Sequence, residues 1–250
     1  MDSYQYRLPN AYLNHLWEKG AGDSYPSEFS PYSSCTRKFL QQVQSLLSPK
    51  QPKTAIDLGC GAGGFSRWLN QALNCHVLGI DRSEFAIEFA KQHARNNPDI
   101  EFVVGEFEQL NQIVGRFDLA VSVDALPFTK DEDQTLADIH RLLNPSGDLL
   151  FTTREPLATS PKSNKLGRAW CSVLERNSFE LVEVIEREGV SEFWHSIYQQ
   201  WTENEAQLRL VLPSEEVDGL MLEAEQVGSG LFDGRPWLES STRIKDICVL

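Results

Sequence analysis

The chain has 250 residues, with 23 Lys and Arg against 36 Asp and Glu, and hence a formal net charge of −13 at pH 7. Nucleic-acid affinity comes largely from Lys and Arg replacing phosphate counterions, so this balance argues against DNA or RNA as a partner. With 41% hydrophobic and 24% charged residues the composition is that of an ordinary folded domain, and no run approaches the ~18 apolar residues of a membrane helix. The opening MDSYQYRLPN lacks the basic start and apolar run of a secretory signal, so a cytoplasmic location is expected. Cys35, Cys60, Cys75, Cys171 and Cys248 show no CxxC or other metal-like spacing, which reads as reduced thiols and no metal site.

Residues 1–50 read as an N-terminal helical extension placed to act as a lid. Tyr12, Leu13, Leu16 and Trp17 share one helical face after Pro9 and Asn10, and Phe39, Leu40, Val43, Leu46 and Leu47 share another. The Gly-, Pro- and Ser-rich stretch between them reads as a loop. From Lys53 strands alternate with amphipathic helices: TAIDLG, HVLGID, IEFVVG, FDLAVSV and DLLFTT are the strands of a core spanning 51–189. Such alternation implies a mostly parallel sheet with helices on both faces. FELVEVIERE reads as a sixth strand, and RIKDICVL, within 241–250, as a seventh that returns to the sheet. Residues 190–240 are purely helical in pattern, an insertion before the last strand that is placed to act as a lid.

The densest chemistry lies in AIDLGCGAGGFSRWL, which supplies a strand, a glycine turn and a helix. Gly59, Gly61 and Gly63 leave backbone open to close approach by a ligand, and the following helix presents unpaired N–H groups. Asp81 closes the second strand, where a carboxylate can accept both hydrogen bonds of a ribose diol. Gly59, Gly61 and Gly64 also spell GxGxxG, the dinucleotide pattern, so the turn alone leaves a nicotinamide cofactor open. Asp57, just before the first glycine, suits the ammonium end of a methionine and would repel a pyrophosphate.

With FDLAVSVDAL and LLNPSGDLLFTT downstream, these blocks resemble the class I S-adenosylmethionine-dependent methyltransferases, in their small-molecule branch. The resemblance covers residues 53–155. It implies an α/β Rossmann-like sheet, mostly parallel with the last strand antiparallel, and S-adenosylmethionine as cofactor. It places Asp57, Gly59 and Gly61 beneath the methionine, Cys60 contributing through its backbone, and Asp81 on the ribose. Glu106, where the family usually carries an Asp, is implied at the adenine edge and Phe107 at the adenine face. Gly63, Arg82 and Val123 complete the implied cofactor contacts. Asp124 falls beside the path from methyl to acceptor, or caps the helix that follows.

The implied reaction is methyl transfer to a nitrogen or oxygen atom of a small metabolite, of the kind found in specialised biosynthesis. Two other readings remain at this point: a protein that binds S-adenosylmethionine without transferring methyl, and an NAD(P)-dependent oxidoreductase. Should the acceptor need a base, His195 on the insertion and His15 on the first helix are the histidines placed to reach the site from above. His76, His93 and His140 fall elsewhere on the core. Between Val190 and Ser240 there are ten acidic and two basic residues, interleaved with Trp194, Tyr198, Trp201 and Trp237. Such a lid would attract a cationic amine through its charge and ring faces. Acids on an outward helical face and aromatics on an inward one give the same pattern.

Overall fold

The structure is a computed structural model and describes residues 2–95, 97–155, 170–187, 189–228 and 245–249. The parallel strands are β1 (Thr54–Leu58), β2 (His76–Asp81), β3 (Ile100–Val104), β4 (Phe117–Ser122) and β5 (Leu143–Glu155). A short β6 (Val184–Glu186) and β7 (Lys245–Val249) complete a seven-stranded sheet of order β3-β2-β1-β4-β5-β7-β6, in which β7 runs antiparallel to both neighbours. The expected architecture is therefore present, with two changes of extent. FELVEVIERE contributes three strand residues, and β5 begins five residues before DLLFTT. Parallel strands buried on both faces need near-continuous apolar runs, and AIDL, VLGI and LAVS in β1, β2 and β4 supply them.

Helices α2 (Ala11–Ala21), α3 (Arg37–Leu47) and α4 (Gly64–Leu73) belong to the apolar core on one face of the sheet. Helices α6 (Glu132–Leu142) and α7 (Trp170–Arg176) cover the other, and α5 (Glu84–His93) packs at the β2–β3 end. Side-chain oxygens of Asn10, Thr36, Ser83 and Asp131 accept backbone N–H bonds at the starts of α2, α3, α5 and α6. Between β6 and β7, residues 190–228 form α8 (Val190–Glu203), α9 (Glu205–Val211) and α10 (Ser214–Gly228). One element has no counterpart in the sequence pattern: α1 (Tyr4–Arg7), a single turn ahead of α2. Trp237, Arg235 and the loop LATSPKSN lie outside the described residues. Among the described residues no helix is long and apolar enough to cross a membrane.

Candidate active site

The carboxyl ends of β1, β2 and β4 meet at the crevice where the strand order reverses, which is where open α/β sheets take their ligands. The glycine turn after β1 is held there by three bonds. Gly59 N and Cys60 N donate to the Ile80 carbonyl at 2.8 and 2.9 Å, and Gly61 N donates to Asp81 Oδ2 at 2.9 Å. Asp81 Oδ1 accepts from Ser83 N at 2.9 Å, so this carboxylate joins the glycine turn to the first turn of α5. Burial raises the Asp81 carboxyl against these two bonds. Gly59 has φ +80° and faces Ala125 so closely that an added Cβ would lie 2.3 Å from the Ala125 Cβ. An L side chain is excluded there both by conformation and by space.

Asp57, at the end of β1, is 1% exposed. Its Oδ2 accepts from Ser66 Oγ on α4 at 2.6 Å. Burial pushes its carboxyl up to about 7, with the Ser66 bond pulling downward and Asp81 adding to the rise.

A cavity of about 290 Å³ opens over this turn. It brings together ten of the residues expected from sequence: Asp57, Gly59, Cys60, Gly61, Asp81, Arg82, Glu106, Phe107, Val123 and Asp124. Gly63 is not among its lining residues. At φ +74° it starts α4, and a Cβ there would run into Phe102 and Ala90, so its glycine is required by helix packing; Gly64 lines the cavity instead. Glu106 is exposed, 3.7 Å from Lys130 Nζ, in a loose ion pair at the rim. The far wall comes from the N-terminal extension, through Tyr4 and the loop from Phe29 to Ser33 with Cys35.

A family model described as a methyltransferase domain matches residues 37–206. The chain belongs to this methyltransferase family. A glycine/sarcosine/dimethylglycine N-methyltransferase from Actinopolyspora halophila is 27% identical over 174 residues, which is 66% of this chain and 30% of that protein. A malonyl-acyl-carrier-protein O-methyltransferase from Pseudescherichia vulneris is 29% identical over 156 residues, 62% of this chain and 57% of that protein. The chain thus spans less than two thirds of either relative. Among solved structures, a phosphoethanolamine N-methyltransferase from Haemonchus contortus, in complex with phosphomonomethylethanolamine and S-adenosylhomocysteine, shares the fold. Its TM-score is 0.66 at 17% identity, covering 94% of this chain and 58% of that one.

Within this methyltransferase fold, Asp124 occupies a specific and crowded position. Just after β4 its backbone has φ +57°, which non-glycine residues seldom adopt. Oδ2 accepts from Ser34 N at 3.0 Å and from Ser34 Oγ. Oδ1 accepts from Thr152 Oγ1 at 3.1 Å and from Arg187 Nη1 at 3.3 Å. Two lone pairs on each oxygen are thereby engaged. Desolvation raises this carboxyl, but Arg187 and the Ser34 and Thr152 bonds outweigh it and hold the group below the usual carboxylate range. Asp124 does not cap the following helix, whose N-cap is Asp131.

Arg187, whose side chain is 2% exposed, and Ser34 were invisible as site residues in the sequence. Arg187 Nη2 donates to the Ser34 carbonyl at 2.7 Å and to Ser34 Oγ at 2.6 Å, and the guanidinium lies 4.2 Å from the centre of the Phe39 ring. Residues 29–33 and Cys35 line the cavity while Ser34 turns away into this knot. The knot therefore fastens the wall to the ends of β4, β5 and β6.

Both histidine candidates fall away from the cavity. His195 lies two residues from Phe193 and from Ile197, and His15 two residues from Leu13 and from Trp17, all four of them buried. Two steps along an α-helix turn a side chain by roughly 200°, so both rings face solvent. The described aromatics of the insertion, Phe193, Trp194, Tyr198 and Trp201, are used in packing. Trp17 on α2 meets Phe193, Trp194 and Trp201 with ring centres 5.9, 5.5 and 6.5 Å apart, and Trp201 is 0% exposed. Four of its acids form ion pairs: Glu205 and Asp218 with Arg209, Glu216 and Glu223 with Arg7. Among the described residues, none from α8 to α10 lines the cavity. The described part of the insertion, residues 190–228, thus contributes no wall to the cavity, while residues 229–240, with Arg235 and Trp237, lie outside the described residues. Among the described residues no cluster of His, Cys, Asp and Glu could hold a metal ion.

Proposed function

We propose that the chain transfers a methyl group from S-adenosylmethionine to a nitrogen or oxygen atom of a small metabolite. One observation carries this reading. In a chain of the methyltransferase family, the glycine turn, Asp57 and Asp81 converge on a single cavity. The residues suit the cofactor: a cradle of glycines that side chains would fill, a buried carboxylate on the floor, and a second carboxylate at the end of β2. When bound, S-adenosylmethionine supplies an electrophilic sulfonium methyl, for which alignment of a nucleophile and exclusion of water matter more than acid–base assistance.

In this account Asp57 holds the ammonium of the methionine portion and becomes fully ionised by doing so. Asp81 spends one lone pair of each oxygen on the Gly61 and Ser83 N–H groups and keeps the other for the ribose hydroxyls. Phe107 covers the adenine, with Glu106 reduced to a rim contact. Asp124, saturated by its own partners, anchors the acceptor wall and does not take a proton. His195 and His15 carry no catalytic role. The N-methyltransferase and O-methyltransferase relatives support an N or O acceptor alike; a cationic amine remains as one class for the acceptor panel to contain.

Calorimetry tests the cofactor half of this reading. S-adenosylhomocysteine should bind with one site per chain, and NAD should give no heat. Binding of NAD with no response to S-adenosylhomocysteine would replace the reading with the oxidoreductase one.

A further inference from the structure

The wall formed by residues 29–33 and Cys35 meets the sheet through one buried serine. Every polar atom of Ser34 is engaged there. Its N–H and hydroxyl donate to Asp124 Oδ2, and its carbonyl and Oγ accept from Arg187 Nη2 at 2.7 and 2.6 Å. Thr152 Oγ1 accepts from the Asp124 N–H at 2.7 Å, so the backbone of Asp124 is fixed as well as its carboxylate. Arg187 directly follows β6 and reaches both partners with one guanidinium, which lies over the Phe39 ring of α3.

Two strained backbone positions flank this junction. Tyr32 has φ +77° and Asp124 φ +57°, and both residues line the cavity. Side chains rarely tolerate that region, and residues held there persist only where their surroundings over-determine them. Tyr32 stands two residues before Ser34, and Asp124 is the direct partner of Ser34. On the other side of Asp124, the Ala125 Cβ stands 2.3 Å from where a Cβ on Gly59 would lie. Residues 124 and 125 thus hold the wall with one side chain and rest on the glycine turn with the next.

A buried ion pair adds little to stability over apolar packing of the same volume, and among the described residues Arg187 Nε has no hydrogen-bond partner. What the guanidinium supplies is geometry, because its planar fork fixes the directions to Asp124 and Ser34 together. We propose that Arg187, which does not itself line the cavity, is a positioning residue for methyl transfer: it sets the register of the acceptor wall against the glycine turn that carries the donor. The proposal rests on S-adenosylmethionine being the ligand of this cavity and on transfer of its methyl. A displacement of about 1 Å in a positioning wall can cost about 100-fold in rate. The proposed donor contacts have supports of their own, in the Ile80 carbonyl beneath the turn and the Ser66 hydroxyl on Asp57. Loss of Arg187 therefore slows transfer and leaves donor affinity in place.

The test compares wild type, Arg187→Met, Arg187→Lys and Ser34→Ala. Calorimetry with S-adenosylhomocysteine gives the affinity and the number of donor-binding sites per chain. Methyl-labelled S-adenosylmethionine with a fixed extract of small metabolites then gives turnover per binding site and the KM for the donor. Turnover per site should fall about 10- to 100-fold in Arg187→Met. It should fall about 3- to 10-fold in Ser34→Ala, which loses one hydroxyl, with donor affinity and KM within about twofold of wild type in both. Arg187→Lys should stay well below wild type, since an ammonium keeps the charge beside Asp124 but not the fork. A merely structural role would lower the number of binding sites and leave turnover per site unchanged. That result, or donor affinity falling in step with turnover, would overturn the positioning role alone, and Ser34→Ala decides the matter if Arg187→Met does not fold. A wild-type chain that binds no donor, or binds it and labels no product, would overturn the donor or the transfer reading, and the proposal with it.

Discussion

Asp57→Asn should stabilise the ligand-free protein, and by an amount that grows with pH. Asp57 is enclosed at the floor of the cavity, where burial lifts its carboxyl from 3.8 to about 7. Between those values the folded state holds a proton that the unfolded chain has lost, so stability falls as pH rises through this window and the cost is complete above it. At 1.36 kcal/mol per unit the full cost is about 4 kcal/mol, a large part of a typical total of roughly 5–15 kcal/mol. Asparagine keeps the shape and an oxygen for the Ser66 hydroxyl but carries no charge. The variant should exceed wild type by roughly 1 to 2 kcal/mol at pH 5 and about 4 kcal/mol at pH 8. Urea denaturation of the ligand-free proteins at the two pH values measures this. The same substitution should weaken S-adenosylhomocysteine binding, because the carboxylate that costs stability is the one proposed to hold the ammonium. A stability gap that does not change with pH, or a variant less stable than wild type at pH 8, would refute the reasoning.

Three further outcomes follow from the same geometry. Asp81→Ala leaves the Gly61 and Ser83 N–H groups without their acceptor and removes the proposed ribose contact; calorimetry should show S-adenosylhomocysteine affinity reduced by about 1.5 to 3 kcal/mol. Arg187→Met strips the counter-charge from Asp124 and should cost about 2 to 3 kcal/mol in urea denaturation, below the usual range for a fully buried pair because Asp124 is 36% exposed. Adding Asp124→Asn to that variant should recover part of the loss, and a purely additive double variant would dissolve the knot. His195→Ala should leave cofactor affinity and turnover at wild-type values in a labelled-methyl assay, since its ring is exposed and away from the cavity.

What was legible in the sequence was the local part of the site. The strand, glycine turn and helix from 55 to 69 carry their own signature, and Asp57 and Asp81 stand at strand ends that the pattern locates directly. Arg187 carries no such mark. It is one charged residue at the end of a three-residue strand, and its partner Ser34 is 153 positions away, so only the closed sheet brings them together. Tyr4 was hidden for a related reason, because a single helical turn has no period to read. The histidines and the described rings of the insertion show the opposite error. The helical spacing of Phe193, Ile197 and Trp201 already turns His195 outward and Trp201 inward. A reading of those rings as ligand contacts overlooked that α2 offers Trp17 to the same face.

The central claim is methyl transfer, and its most direct measurement is incubation of the purified chain with methyl-labelled S-adenosylmethionine and an extract of small metabolites, followed by untargeted mass spectrometry. The account predicts a labelled small molecule, formed in equal amount with S-adenosylhomocysteine and abolished in Asp81→Ala. Tight binding of the donor with no labelled product from any metabolite pool would contradict it and leave a protein that holds S-adenosylmethionine without spending its methyl.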